Sequence, residues 1–155
     1  MQILLACMRG VRLAPMAVEA QVSISAESTM ARTATTPAEG VKAISRQELK
    51  DKIDRRESFV LLETLSPEHF RHVHLPGARN APPDRVKELA PMLIPNKDTE
   101  VVTYCAGQKC TASAHAARVL TSLGYTRVRH YAGGKQDWTT AGLPVERGHE
   151  HAVRA

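Results

Sequence analysis

Seven consecutive residues concentrate the reactive groups of this chain: Cys105, Ala106, Gly107, Gln108, Lys109, Cys110 and Thr111. They follow Glu100-Val101-Val102-Thr103-Tyr104, which reads as a buried strand, and lead into Thr111 to Leu123, which reads as a helix. A cysteine between a strand end and a helix start meets unpaired amides and the positive end of the helix dipole. Both favour a thiolate, so the Cys105 pKa is expected to fall. Gly107 lets the backbone curl where a side chain would clash, and Lys109 adds a positive charge. Such a loop can cradle a cysteine anion and a small oxyanion beside it. Cys105 is the expected nucleophile, and Ala106 to Thr111 are the expected anion-binding residues.

Cys110 lies five positions after Cys105, across the same loop. Two readings of it stay open: a thiol that resolves an oxidised or persulfidated Cys105 through a disulfide, or a small residue packed at the helix start. Cys105, Cys110 and His115 lack C-x-x-C spacing and a second nearby histidine, so no metal site is expected. His74, in His74-Leu75-Pro76-Gly77-Ala78, reads as a turn residue whose ring bonds backbone. His69, His72, His130, His149 and His151 form no constellation by spacing, and Trp138 reads as core.

The elements that position this loop alternate between strand and helix. Val41 to Ile44 is a short extended piece. Ser45-Arg46-Gln47-Glu48 is a capping box in which Ser45 accepts the Glu48 amide and the Glu48 carboxylate reaches back. Its helix runs to about Arg56. Phe59 to Leu62 is a strand buried on both faces, and Ser66-Pro67-Glu68 opens a short helix with proline in its first turn. A strand follows around Arg79-Asn80, then a helix from Pro82 to Leu93. After the helix that ends at Leu123, Gly124 is a left-handed stop. Val128 to Tyr131 is the last strand, and Gly133-Gly134 precedes a short helix holding Trp138. This order gives βαβ units and an α/β fold with a mostly parallel sheet. Such sheets bind ligands beyond the carboxyl ends of their strands, where Cys105 lies.

Composition narrows the classes. The chain has 155 residues, 43% hydrophobic and 24% charged, as in ordinary globular proteins. No apolar run approaches the ~18 residues of a membrane helix. Three cysteines, Cys7, Cys105 and Cys110, are too few for a disulfide scaffold. The net charge of +5 invites a nucleic-acid partner. The basic residues are interleaved with acids, however, as in Glu48 to Glu57, and aromatics for stacking make up only 4%. No nucleic-acid partner is expected. Residues 1–40 differ from the rest and read as a flexible tail. Their apolar run, Ile3 to Cys7, precedes its basic residues and is short for a secretory signal. Met16 and Met30 offer alternative starts. The expected domain is 41–147, with a C-terminal tail at 148–155.

Four segments, in order, resemble the rhodanese-like (thiosulfate sulfurtransferase) domain across roughly Val41 to Arg147. Val73 to Asn80 is similar to its "G-H-I-P-G-A-x-N" segment. Val101 to Cys105 is similar to its active-site strand and cysteine. Gly124-Tyr125-Thr126-Arg127-Val128 is similar to "G-Y-x-x-V", and Tyr131-Ala132-Gly133-Gly134, Trp138 and Ala141 to Val145 to its "GG…W…AG-x-PV" ending. The resemblance implies a five-stranded, mostly parallel sheet with helices on both faces. It implies ping-pong sulfur transfer without a cofactor: the Cys105 thiolate takes sulfane sulfur from thiosulfate or a persulfide donor, then passes it to cyanide or a thiol. A thioredoxin-like or sulfur-carrier protein fits as partner, and a reducing, cytoplasmic setting suits the thiolate.

Two departures qualify the resemblance. The family often carries Asp-x-Arg after its second strand, where this chain reads Glu63-Thr64-Leu65. Its loop commonly ends in Arg, where this chain has Cys110, as in a variant group with a second loop cysteine. Without that guanidinium fork, thiosulfate is less favoured as donor. Lys109 compensates only as a point charge, and Cys110 points instead to a persulfide or redox carrier. A non-enzymatic redox or partner-binding module using Cys105 and Cys110 is the alternative. A phosphatase needs Arg six positions after the cysteine, where this chain has Thr111.

Overall fold

The computed structural model describes residues 41–148. The segment 1–40, read above as a tail, and residues 149–155 lie outside the described residues. Among the described residues, five short strands form one sheet: β1 (Lys42–Ala43), β2 (Val60–Glu63), β3 (Arg79–Asn80), β4 (Val101–Tyr104) and β5 (Val128–Tyr131). Their order is β1-β5-β4-β2-β3, and every neighbouring pair is parallel. All four residues of the central strand β4 are buried, which explains its unbroken run of strand-forming side chains.

Among the described residues, five helices cover the two faces: α1 (Arg46–Asp54), α2 (Pro67–His72), α3 (Val86–Leu93), α4 (Ala112–Ser122) and α5 (Gly134–Thr140). Strand side chains alternate between faces, so the sheet builds two cores. Leu62, Val101 and Val128 pack against Val86 and Ala90 of α3 and against Ala116, Ala117 and Leu120 of α4. Leu61, Val102, Tyr104 and Tyr131 pack against Leu49 of α1, Phe70 of α2 and Trp138 of α5. Truncating a fully buried leucine such as Leu62 to alanine costs about 2–5 kcal/mol.

Local chemistry accounts for the starts of α1 and α3. Ser45 Oγ accepts the Glu48 amide at 3.2 Å and starts α1. The returning half of the capping box is not made. The Glu48 carboxylate is taken instead by both terminal nitrogens of Arg129 on β5, because a forked ion pair outcompetes a bond to one backbone amide. Helix α3 starts at Val86, later than the sequence suggests. Pro82 and Pro83 have no amide to donate, and the Arg85 amide closes a turn onto the Pro82 carbonyl at 2.9 Å.

Candidate active site

Cys105 directly follows β4 and is 1% exposed. The Ser113 hydroxyl, in the first turn of α4, donates to Cys105 Sγ at 3.1 Å, and the Ser113 backbone N–H also faces the sulfur. The thiol itself donates to the Cys110 carbonyl at 3.3 Å. Thr103, two residues before the cysteine, holds that first turn in place: its hydroxyl donates to the Ser113 carbonyl at 3.0 Å. No side chain caps α4, and no acidic residue lies in its first turn. Its opening amides are therefore left for the sulfur or for an anion.

Helix α5 holds the loop from the other side. The Lys135 amide donates to the Cys105 carbonyl and the Gln136 amide to the Ala106 carbonyl, both at 2.9 Å. Gly134 makes that approach feasible. Its φ is +59°, and a Cβ there would lie 2.4 Å from the Cys105 oxygen and 2.8 Å from the Gly107 nitrogen. Among the described residues, the amides of Ala106, Gly107, Gln108 and Lys109 donate to no protein acceptor.

A cavity of about 810 Å³ opens on this loop. Ala106, Gly107, Gln108, Lys109 and Cys110 line one side, and Gly133, Gln136, Asp137 and Thr140 of the α5 segment line the other. Thr111, expected from sequence among the binding residues, flanks α4 as its N-cap and is not in the lining. Gln108 and Lys109 are exposed at the rim, and Cys110 is half-buried. The Asp137 carboxylate is fixed by Arg46 and by the Tyr131 hydroxyl, which donates to it at 2.6 Å.

The electrostatics correct one expectation. Burial is the largest influence on the Cys105 thiol and pushes it up. The neighbouring Cys110 side chain acts in the same direction, while the Ser113 hydroxyl and amide pull down. The net direction is upward, not downward as expected from the helix start, because desolvation of so buried a sulfur outweighs its donors. Beneath the loop lies a buried charge pair. Glu63, fully buried at the end of β2, has its Oε1 2.6 Å from the Lys135 ammonium, and the Tyr104 hydroxyl donates to its Oε2 at 2.7 Å.

The α5 side of the cavity, and Ser113 and His130 behind the sulfur, escaped the sequence reading. Ser113 is in contact with the sulfur, and His130 Nε2 lies 2.9 Å from Ser113 Oγ. A signal was present: His130 is a polar residue at an inward position of a buried strand, on the same face as Val128. His74 lies where its motif suggested, its Nδ1 2.8 Å from the Phe70 carbonyl. Trp138 is buried, with its indole N–H donating to the Pro144 carbonyl at 2.7 Å.

The rhodanese-like domain family matches residues 45–141, more than half of the chain. The chain belongs to the rhodanese-like family. It is 35% identical over 109 residues to the HTH-type transcriptional regulator Rv0324 of Mycobacterium tuberculosis, covering 68% of this chain and 45% of the regulator. The chain thus spans less than half the length of that relative. It is 39% identical over 77 residues to the thiosulfate sulfurtransferase PspE of Escherichia coli, covering 49% of this chain and 70% of PspE. The crystal structure of a thiosulfate sulfurtransferase from Pseudomonas aeruginosa shares the fold, with a TM-score of 0.65 at 24% identity. That match covers 72% of this chain and 21% of the other. In this rhodanese-like domain both loop cysteines are free thiols. Among the described residues, no helix is long and apolar enough to cross a membrane.

Proposed function

We propose that residues 41–147 form a sulfurtransferase in which Cys105 carries the sulfur. The thiolate attacks the sulfane sulfur of thiosulfate or of a persulfide donor, and sulfite or a thiolate leaves. A Cys105 persulfide remains. An acceptor thiol or cyanide then attacks the outer sulfur and releases the Cys105 thiolate. A reducing, cytoplasmic setting suits this chemistry. The single observation that carries the reading is the position of Cys105 Sγ, at the end of the central strand, under donors from Ser113 and beside a loop in which the Ala106, Gly107, Gln108 and Lys109 amides have no protein acceptor among the described residues. A persulfide anion needs that kind of donor cradle.

The donor is the finer part of the proposal. Among the described residues, no guanidinium lines the cavity, and Lys109 is the one cation in the lining. An organic or protein persulfide, such as one borne by a thioredoxin-like or sulfur-carrier protein, therefore suits the site better than doubly charged thiosulfate.

Persulfide mass spectrometry tests the reading. After mixing with a low-molecular-weight persulfide or thiosulfate, the protein should gain the mass of one sulfur atom, and Cys105→Ser should gain none. Failure to load sulfur from either donor, together with ready formation of a Cys105–Cys110 disulfide, would establish the redox module instead.

A further inference from the structure

The thiol of Cys105 presents a difficulty for the proposed chemistry: burial raises its pKa, yet the attack needs a thiolate. Behind it stands a chain of hydrogen-bonding groups that ends in a base. Ser113 Oγ is 3.1 Å from Cys105 Sγ and 2.9 Å from His130 Nε2. All three residues are buried. They come from the end of β4, the first turn of α4 and β5; parallel pairing sets Thr103 of β4 opposite His130, and the Thr103 hydroxyl ties down the Ser113 carbonyl. At rest the Ser113 hydroxyl points at Cys105 Sγ and the thiol at the Cys110 carbonyl; rotation of the O–H and S–H bonds lets the serine accept the thiol proton while donating its own to His130 Nε2. An imidazole is the side chain suited to take up such a proton transiently near neutral pH.

We propose that Cys105, Ser113 and His130 form a proton relay. This rests on the reading of Cys105 as the attacking nucleophile. As Cys105 Sγ attacks the sulfane sulfur, its S–H bond breaks and the proton passes to Ser113 Oγ. The Ser113 O–H proton passes to the neutral His130 Nε2. A Cys105 S–S bond forms, and the bond between that sulfur and its leaving group breaks, the leaving group departing with the electron pair. When an acceptor thiolate or cyanide later takes the outer sulfur, Cys105 leaves as thiolate and the proton returns from His130 through Ser113. No oxidant or reductant is consumed. Ser113 touches the reacting sulfur; His130 acts through it, as a positioning residue.

The surroundings suit a neutral base. Burial pushes the His130 imidazole below its ordinary value, so it is free to accept a proton at neutral pH. Its register partners, Ala43 on β1 and Thr103 on β4, are uncharged, as is Ser113 on α4. The next residue back, Arg129, directs its guanidinium to Glu48 and Glu100. His115 and Arg118 of α4 are exposed. Among the described residues, the titratable group in contact with Ser113 besides His130 is Cys105, whose thiol interacts in turn with that of Cys110.

The pH dependence of Cys105 alkylation by iodoacetamide reads the relay directly, with Cys110→Ala as background so that one thiol is followed. With a base in reach, the rate should hold a plateau at pH values below the thiol pKa instead of falling tenfold per unit. His130→Asn should remove the plateau and lower the rate at neutral pH by about tenfold or more. Ser113→Ala, which deletes one hydroxyl and leaves β5 intact, carries the same expectation and keeps the test decisive if His130→Asn does not fold. A background profile without a plateau, or a plateau that survives in either folded variant, overturns the proposal. Alkylation does not require sulfur transfer. A protein with a plateau that never takes up sulfur would sink the functional reading and leave the relay standing.

Discussion

Two glutamates are buried at opposite ends of the sheet, and they are compensated in different ways. Glu100 immediately precedes β4, at the amino end, and three cations surround it: Lys52 and Arg127 at 3.1 Å and Arg129 at 3.6 Å. Two of those cations have further partners, Lys52 with Glu57 and Arg129 with Glu48. The cluster joins α1 to the starts of β4 and β5, and each of its cations has a substitute. Glu63 closes β2 at the carboxyl end with one cation, Lys135, and one neutral donor, Tyr104. Lys135 has a second task, since its amide holds the Cys105 carbonyl. The amino end is redundant and partly solvated; the carboxyl end is singly compensated and tied to the loop that carries the cysteine. A desolvated charge with one partner fixes a geometry more strictly than it adds stability.

The largest expected effect follows from that difference. Lys135→Met leaves the Glu63 carboxylate buried without its cation, and should cost about 3–5 kcal/mol in urea unfolding. Adding Glu63→Gln should restore most of the loss, because an amide needs no counter-charge. A cost below about 1 kcal/mol for Lys135→Met would break the contrast between the two ends.

Each end also has a glycine with positive φ, so one substitution can be made at both. At Gly124, beyond α4, φ is +89° and a Cβ would meet only the flexible Lys97 side chain, at 3.5 Å. Gly124→Ala should cost about 1–2 kcal/mol, the left-handed penalty alone. At Gly134 the same penalty is joined by overlap with loop backbone, which cannot move without displacing Cys105. Gly134→Ala should cost more in urea unfolding. It should also slow sulfur loading of Cys105, while Gly124→Ala leaves loading unchanged. Equal losses in both assays would mean that the α5 contact does not shape the loop.

The sequence made the scaffold legible because its signals are local. The unbroken apolar run Phe59 to Leu62 that leads into β2, Ser45 at the start of α1 and Gly124 after α4 each act within a few residues, and the structure follows them. The position of Cys105 at a strand end was legible for the same reason. What stayed hidden depends on pairing between distant segments. His130 meets Ser113 only because β5 lies beside β4 with Thr103 opposite His130. Lys135 reaches Glu63 across 72 positions of chain, which no spacing rule connects. Glu48 had a local partner in its own capping box and was drawn away by Arg129. The thiol pKa was misjudged for a related reason: dipole and amides are visible in the order of elements, whereas burial depends on the whole fold.

The smallest effect is expected at the redundant end, and it sharpens the contrast from the other side. The Arg127 side chain is 62% exposed, although its partner Glu100 is buried. Removing it by Arg127→Ala leaves Lys52 and Arg129 beside the same carboxylate. Water and salt already screen an exposed guanidinium, so the loss should be below about 1 kcal/mol in urea unfolding. It should shrink further in high salt. Sulfur loading should be unchanged, since the residue lies at the opposite end of β4 and β5 from Cys105. A loss comparable to that of Lys135→Met would show that the three cations act as one unit. Redundancy would then not separate the two ends, and the difference between them would have to be sought in the backbone contacts of α5.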